Sequence, residues 1–119
     1  MKVGKFRIAV ATKADGGLED VVSDVFGRAK TFTIVDVDKG IIENVKVLQN
    51  PAISYKHGAG PIVVKMLVDS GVNVVVAADL GPGALSLIEQ HNMAKIAVKP
   101  GTSVEKSVKD TLLKIKKQQ

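Results

Sequence analysis

At 119 residues the chain is long enough for one domain with a hydrophobic core and too short for two, so residues 1–119 are expected to form a single domain. Hydrophobic residues make up 45% and charged residues 24%, which is typical of a globular protein and excludes a disordered one. The absence of cysteine excludes disulfides, thiolate nucleophiles and any cluster held by protein thiolates.

The net charge of +5 lies mostly in the last segment of the chain. From Lys99 onward there are six lysines and two acids, which leaves eleven basic against ten acidic residues elsewhere. This distribution favours a solvated helix face over a nucleic-acid groove, so we expect no nucleic-acid partner. No apolar run approaches the roughly 20 residues that span a bilayer, and we expect a cytoplasmic protein without membrane contact.

The first part of the chain predicts a strand followed by a β-hairpin. Residues 6–12 alternate large apolar residues with small or polar ones. A second strand is predicted at 31–38 and a third at 41–48, joined by the tight turn 38–40. In the third strand a lysine lies between valines, which is typical of an edge strand with one wet side.

From residue 60 onward the pattern alternates between helix and strand. Pro61 is predicted at the first position of a helix that stops at Gly71, and the apolar run 72–78 predicts a central strand. A second helix is predicted from Gly81 to about residue 91, and a fifth strand at 94–98. A last helix is predicted from about Ser103, whose hydroxyl suits an N-cap.

This order predicts an α/β protein with three α/β/α layers and a five-stranded mixed sheet in order 3-2-1-4-5, in which strand 2 is antiparallel. The chain order reverses between strands 1 and 4, and open α/β sheets bind ligands in the crevice at that point. Three segments are therefore expected near one crevice: Thr12-Lys13, His57-Gly58-Ala59-Gly60 and Asp79-Leu80-Gly81-Pro82.

The crevice has the features of an anion-binding site. Two helix N-termini would point backbone amides and a positive dipole into it, and glycines let a ligand approach the backbone. The segment Phe26-Gly27-Arg28 adds one of only two arginines, although a surface arginine after a turn is an equally compatible interpretation. Lys13 and Lys56 can add further positive charge.

His57 is the metal-ligand candidate, because it lies in a loop rather than on an apolar helix face. Its imidazole can complete the coordination of a metal that brings its own inorganic ligands. A loop histidine bonded to a nearby carbonyl is a second interpretation that fits equally well. His91 is interpreted as part of a helix C-cap and is assigned no chemistry.

Catalysis finds little support in the sequence. The aspartates have no spacing that forms a paired-carboxylate site, and Ser23 has no evident base partner. A nucleophile elbow, a phosphate-binding Walker loop and a dinucleotide fingerprint are all missing. We therefore expect a binding protein and not an enzyme.

Several motifs, in order from about residue 5 to 98, resemble the dinitrogenase iron-molybdenum cofactor biosynthesis family. They are Ile8-Ala9-Val10-Ala11-Thr12, Ser23 with Phe26-Gly27-Arg28-Ala29, His57-Gly58-Ala59-Gly60, and Gly71-Val72 through Gly81-Pro82-Gly83-Ala84. Each is weak alone, and their ordered combination is fairly specific. The resemblance implies a ribonuclease-H-like α/β fold, a role in binding or carrying a metal-sulfur cofactor during its assembly, and His57 as the cluster ligand.

An anionic sulfur-rich cluster suits such a crevice without protein cysteines, since the sulfides come with it. The resemblance therefore implies noncovalent binding of iron-molybdenum cofactor or a related cluster, with donor and acceptor proteins as partners. The predicted edge strand permits dimerisation without requiring it, so a monomer or a weak homodimer is expected. Two alternatives stay open. One is a small regulatory module that binds a phosphorylated metabolite or a protein partner, and the other is a metal-dependent nuclease that uses Thr12, Asp38 and Asp79.

Overall fold

The computed structural model describes residues 4–117 and the side chains of residues 4–115. Residues 1–3 and 118–119, which the single-domain prediction includes, lie outside the described part. The elements follow in the order β1 (Lys5–Thr12), β2 (Thr31–Asp38), β3 (Ile41–Gln49), α1 (Ala59–Asp69), β4 (Val74–Ala77), α2 (Pro82–Gln90), β5 (Ala94–Ala97) and α3 (Val104–Lys117), with a short 3-10 turn at Gly17–Glu19. None of these helices is long and apolar enough to cross a membrane.

The five strands form one mixed sheet in the order β3-β2-β1-β4-β5. β2 runs antiparallel to both β1 and β3, whereas β4 runs parallel to β1 and β5 runs parallel to β4. The predicted strand order and strand directions are confirmed. The sheet therefore changes from antiparallel to parallel pairing at β1. β2 and β3 are added on one side of β1, and β4 and β5 on the other, so the strand order reverses between β1 and β4.

Alternating residues of β1 contribute to two separate hydrophobic cores. Ala9 and Ala11 belong to the core on the side of α1 and α2, where Val63, Leu67 and Ile88 are fully buried. Ile8 and Val10 belong to the core on the other side, which includes Val104 and Val108 of α3. The predicted three layers, with the sheet between helices, are therefore confirmed.

The β2–β3 hairpin turns at Lys39 and Gly40, which both have positive φ, at 53° and 81°. This is the geometry of a two-residue turn that matches the twist of the strands it joins. A β-bulge lies in β3, because Asp36 pairs with Asn44 while the next residue of β2, Val37, pairs with Ile42. β3 forms an edge of the sheet and has alternating exposure, as predicted.

The start of α1 and the extent of β4 differ most clearly from the prediction. Pro61 is the third residue of α1 and not the first, because Gly58 adopts the left-handed conformation at φ 76° and lets the helix begin at Ala59. A proline is still tolerated there, since amides of the first turn have no intrahelical acceptor. β4 spans Val74–Ala77 and not 72–78, because the Val72 amide still donates to Leu67 at the end of α1.

At the opposite end of the sheet from the predicted crevice, Arg7 of β1 forms an ion pair with Asp36 of β2. The guanidinium Nε donates to Asp36 Oδ1 at 2.7 Å, and Nη1 donates to the carbonyl oxygen of Ser70 at 2.6 Å. The hydrogen bond from Arg7 lowers the pKa of Asp36 and outweighs the opposing effect of burial. This arginine therefore connects β1, β2 and the end of α1.

Replacing Asp36 by asparagine is expected to lower the free energy of unfolding by about 1 kcal/mol at pH 7. Because the folded-state pKa is lowered, the stabilisation is complete above the unfolded pKa of about 3.9 and is lost as the pH falls through the folded value. The difference between wild type and Asp36→Asn should therefore shrink below about pH 4, which urea denaturation across pH measures. The exposed Lys65–Asp69 pair is the control, since Asp69→Asn should change stability by less than about 0.5 kcal/mol.

Candidate functional site

A cleft of about 480 Å³ opens beside the carboxyl ends of β1 and β4, the two strands between which the strand order reverses. Three loops reach it: the segment that follows β1, the segment that precedes α1, and the connection from β4 to α2. The lining residues are Val25, Phe26, Gly27, Arg28, Lys56, His57, Gly58, Ala59, Gly60, Asp79, Gly81 and Ala84. The size falls within the range of small-molecule sites in proteins.

The segment 25–28 is anchored in the core by its aromatic residue. Phe26 is only 3% exposed, and its ring packs edge-on against Phe32 with the centroids 5.5 Å apart. The Ser23 hydroxyl accepts a hydrogen bond from the Val25 amide at 3.2 Å, which turns the chain before it reaches Phe26. Phe26 therefore fixes the segment, and the exposed Arg28 lies two residues further on.

A buried asparagine holds the same segment from the opposite side. The Asn50 amide nitrogen donates to the carbonyl oxygens of Gly27 and Ala29, at 2.9 and 2.7 Å. Its amide oxygen accepts from the Ala52 amide at 2.8 Å. Both polar atoms of this side chain are therefore satisfied, and Asn50 links the segment after β1 to the loop after β3.

The segment after β1 also lies directly against the start of α1. A Cβ added to Gly27 would stand 3.0 Å from the nitrogen of Gly60 and 3.3 Å from its Cα. These atoms belong to the backbone, which yields less easily than the end of a side chain. Only glycine at position 27 lets the two segments approach this closely.

The third part of the cleft is the loop that leads into α1. The Arg28 guanidinium donates to the carbonyl oxygen of Lys56, the residue before the exposed His57. Gly58 follows as the N-cap of α1 in the left-handed conformation. The first-turn amides of Ala59 and Gly60 in α1 and of Gly83 and Ala84 in α2 have no intrahelical acceptor and can donate to a ligand, whereas Pro61 and Pro82 have no N–H.

The charged side chains that line the cleft are mostly positive. Arg28 and Lys56 are the basic residues of the lining, and Asp79 is its acidic residue. Among the described ion pairs, none includes these three residues. Two helix N-termini add further positive potential, so an anion is the ligand type that the cleft favours.

Most of the residues predicted from the sequence as a binding site come together in this cleft. They are Phe26, Gly27, Arg28, His57, Gly58, Ala59, Gly60, Asp79 and Gly81. Their role in binding stays a prediction, because proximity alone does not demonstrate a ligand. Val25 and Ala84 also line the cleft and were not predicted as site residues, although Val25 directly precedes the Phe26 motif and Ala84 is the last residue of the Gly81 motif.

Thr12 and Lys13 are not among the lining residues. Thr12 is completely buried, and its hydroxyl lies 2.6 Å from that of Thr31 and 3.1 Å from that of Thr33. Lys13 is exposed and forms an ion pair with Asp24 at 3.5 Å. The Thr12 hydroxyl therefore joins β1 to β2 and has no free path to a ligand in the cleft.

Within residues 4–117, no three histidine, cysteine, aspartate or glutamate side chains come together in a way that could hold a metal ion. The aspartates named for a nuclease site are far apart in the sheet. Asp38 pairs with Lys5 at the amino end of β1, whereas Asp79 follows the carboxyl end of β4. An antiparallel β2 necessarily places its last residue at the other end of the sheet, and this argues against two-metal nuclease chemistry.

Residues 5–113 match the model of the protein family described as dinitrogenase iron-molybdenum cofactor. An uncharacterized protein of Methanocaldococcus jannaschii is 33% identical over 69 residues. The aligned stretch covers 58% of this chain and 58% of that relative, so the chain spans a little more than half of the relative's length.

Two solved structures share the fold. The apo form of the orange protein from Desulfovibrio gigas superimposes with a TM-score of 0.81 at 28% identity, covering 91% of this chain and 88% of the other. A NifB-like protein from Thermotoga superimposes with a TM-score of 0.72 at 31% identity, covering 92% of this chain and 88% of the other. The resemblance noted in the sequence is thereby confirmed, and the chain belongs to the dinitrogenase iron-molybdenum cofactor family, whose function is related to the binding or biosynthesis of a cofactor.

Proposed function

We propose that this protein binds an anionic metal-sulfur cofactor noncovalently in the cleft and carries it without transforming it. The observation that carries the proposal is the convergence of Arg28, Lys56 and His57 with two helix N-termini in one open cleft. The family to which the chain belongs supports a cofactor of the iron-molybdenum type as the ligand.

The residues of the cleft fit a cluster that brings its own sulfur. The sequence has no cysteine, so sulfide or thiolate ligands cannot come from this chain. Backbone amides of the two first turns can donate hydrogen bonds to sulfides, and a ring nitrogen of His57 can occupy one metal position. The positive charges of Arg28 and Lys56 compensate the negative charge of such a cluster, and the negative charge of Asp79 offsets part of the positive charge of the cleft.

A carrier role is favoured over an enzymatic one by the functional groups in the cleft. Ser23 is buried and its hydroxyl accepts from the Val25 amide, so it is not a free nucleophile. The lining holds a single carboxylate, which is not the pair that general acid and base catalysis by carboxylates requires. These groups support binding of a cofactor that a donor protein supplies and its release to an acceptor protein.

An anaerobic titration with tetrathiomolybdate and with isolated iron-molybdenum cofactor tests the proposal. Amide NMR shifts are expected at residues 26–29, 57–60 and 79–84. His57→Ala should weaken binding of isolated iron-molybdenum cofactor about tenfold or more, because the bond from the imidazole to the metal is lost. His91→Ala is the matched control, since His91 is also exposed but lies at the C-cap of α2, and it should leave the affinity unchanged.

The same titration separates the carrier from its main alternative. If inorganic phosphate shifts these amides and thiometallates do not, the cleft belongs to a regulatory module that recognises phosphorylated metabolites. If neither anion shifts them at concentrations far above that of the protein, the cleft is not an anion site and the proposal is wrong.

A further inference from the structure

We propose that Arg28 is a positioning residue for His57, because its guanidinium holds the backbone directly before the imidazole. The proposal deepens the proposed function, and it depends on that function only for the statement that His57 contacts a ligand. The contact between Arg28 and the loop can be tested without any ligand.

The contact joins two distant parts of the chain. Arg28 Nη2 donates to the carbonyl oxygen of Lys56, which lies 28 residues further along the chain. A guanidinium that donates to a carbonyl forms a charge-assisted hydrogen bond, about twice as strong as a neutral one. Among the described side-chain hydrogen bonds and ion pairs, this is the contact that reaches residues 53–57.

Little else fixes this loop. Residues 53–58 are all exposed, whereas Ala52 before them and Ala59 after them are buried. The Tyr55 amide donates to Ala52, which closes a turn but does not connect the loop to another element. His57 therefore lies between two fixed points, the Lys56 carbonyl and the left-handed Gly58 that begins α1.

Arg28 is itself held in place on both sides. The buried Asn50 amide binds the carbonyl oxygens of Gly27 and Ala29, the two residues that flank Arg28. A continuous series of contacts thus runs from the core at Asn50 to Arg28, and from Arg28 to Lys56 and His57. The described contact uses one of the five N–H donors of the guanidinium, so a bound anion can use others.

The first experiment uses the protein without added ligand. Backbone 15N order parameters are compared between wild type, Arg28→Met, which removes every N–H donor, and Lys30→Gln, which removes an exposed charge from the same segment. In Arg28→Met the values at residues 55–57 are expected to fall from roughly 0.85 toward 0.6, and in Lys30→Gln they should stay at the wild-type level. Unchanged values in Arg28→Met would overturn the proposal.

The second experiment asks whether Arg28 acts through His57. The affinity for isolated iron-molybdenum cofactor is measured for His57→Ala in the wild-type background and in Arg28→Lys, which keeps the charge but loses the planar fork. We expect His57→Ala to lower the affinity about tenfold in the wild-type background and about twofold in Arg28→Lys. The second loss is smaller because, without the Arg28 contact to the Lys56 carbonyl oxygen, the imidazole already contributes less to binding. Equal losses in both backgrounds would contradict the positioning role.

The two experiments separate two kinds of failure. A wild-type protein that binds no tetrathiomolybdate and no cofactor contradicts the proposed function, while the order parameters still decide whether Arg28 holds the loop. If the wild-type protein binds the cofactor and His57→Ala lowers the affinity equally in both backgrounds, only the positioning role of Arg28 is contradicted.

Discussion

Replacement of Asn50 by aspartate is expected to lower the free energy of unfolding by about 3 kcal/mol at pH 7. The Asn50 side chain is buried and donates to the carbonyl oxygens of Gly27 and Ala29 at 2.9 and 2.7 Å. Aspartate has no N–H group, so a carboxylate would face two carbonyl oxygens away from water. Urea denaturation at pH 7 measures the loss.

Asn92→Asp is the control for this substitution, because Asn92 is exposed at the end of α2 and the change should stay within about 0.5 kcal/mol. Acidification gives a second test. Burial should raise the pKa of the new carboxyl in the folded state, so the folded variant binds more protons than the unfolded one and regains stability as the pH falls from 7 to 5. A variant as stable as wild type at pH 7 would show that the Asn50 amide does not hold the segment after β1.

The second large effect is expected for Gly27→Ala, which should lower the free energy of unfolding by about 2 kcal/mol. The new Cβ would stand 3.0 Å from the Gly60 nitrogen and 3.4 Å from the Ala59 carbonyl carbon, which are backbone atoms at the start of α1. Relief of this overlap must move the segment after β1 away from α1. The cleft would widen, and the affinity for tetrathiomolybdate should fall together with the stability.

Gly83→Ala provides a matched control beside the cleft, at a glycine that is not part of the lining. A Cβ at Gly83 meets nothing within 4 Å, and the residue lies in the first turn of α2. Alanine there should leave stability unchanged or raise it by about 0.4 to 1 kcal/mol, because it restricts the unfolded chain. If Gly27→Ala behaves like Gly83→Ala in thermal unfolding, the close approach of Gly27 to α1 is not required.

The fold could be predicted because its signals are local. The alternation over residues 6–12 indicated β1, the turn 38–40 indicated the hairpin, and Ser103 indicated the start of α3, where its hydroxyl accepts from the Lys106 amide. The start of α1 at Ala59 was not predicted. It depends on the left-handed conformation of Gly58, which a helix pattern does not distinguish from an ordinary loop glycine.

The site could be predicted only as a location. The reversal between β1 and β4 indicated which loops meet, but not which side chains are free to act within them. Thr12 was predicted at the crevice because it ends the first strand, yet its hydroxyl is buried against Thr31 and Thr33 of β2. The roles of Asn50 and Arg28 rest on contacts between residues 21 to 28 positions apart, which no local pattern shows.

The close approach of Gly27 to α1 also determines where conformational entropy is lost on binding. Gly27 and the start of α1 are packed backbone to backbone before any ligand arrives, so a ligand does not have to order this half of the cleft. The remaining ordering falls on the exposed residues between Ala52 and Ala59, which the Arg28 guanidinium restrains at the Lys56 carbonyl oxygen. The entropy cost of binding should therefore be small on the Gly27 side of the cleft and larger in this loop.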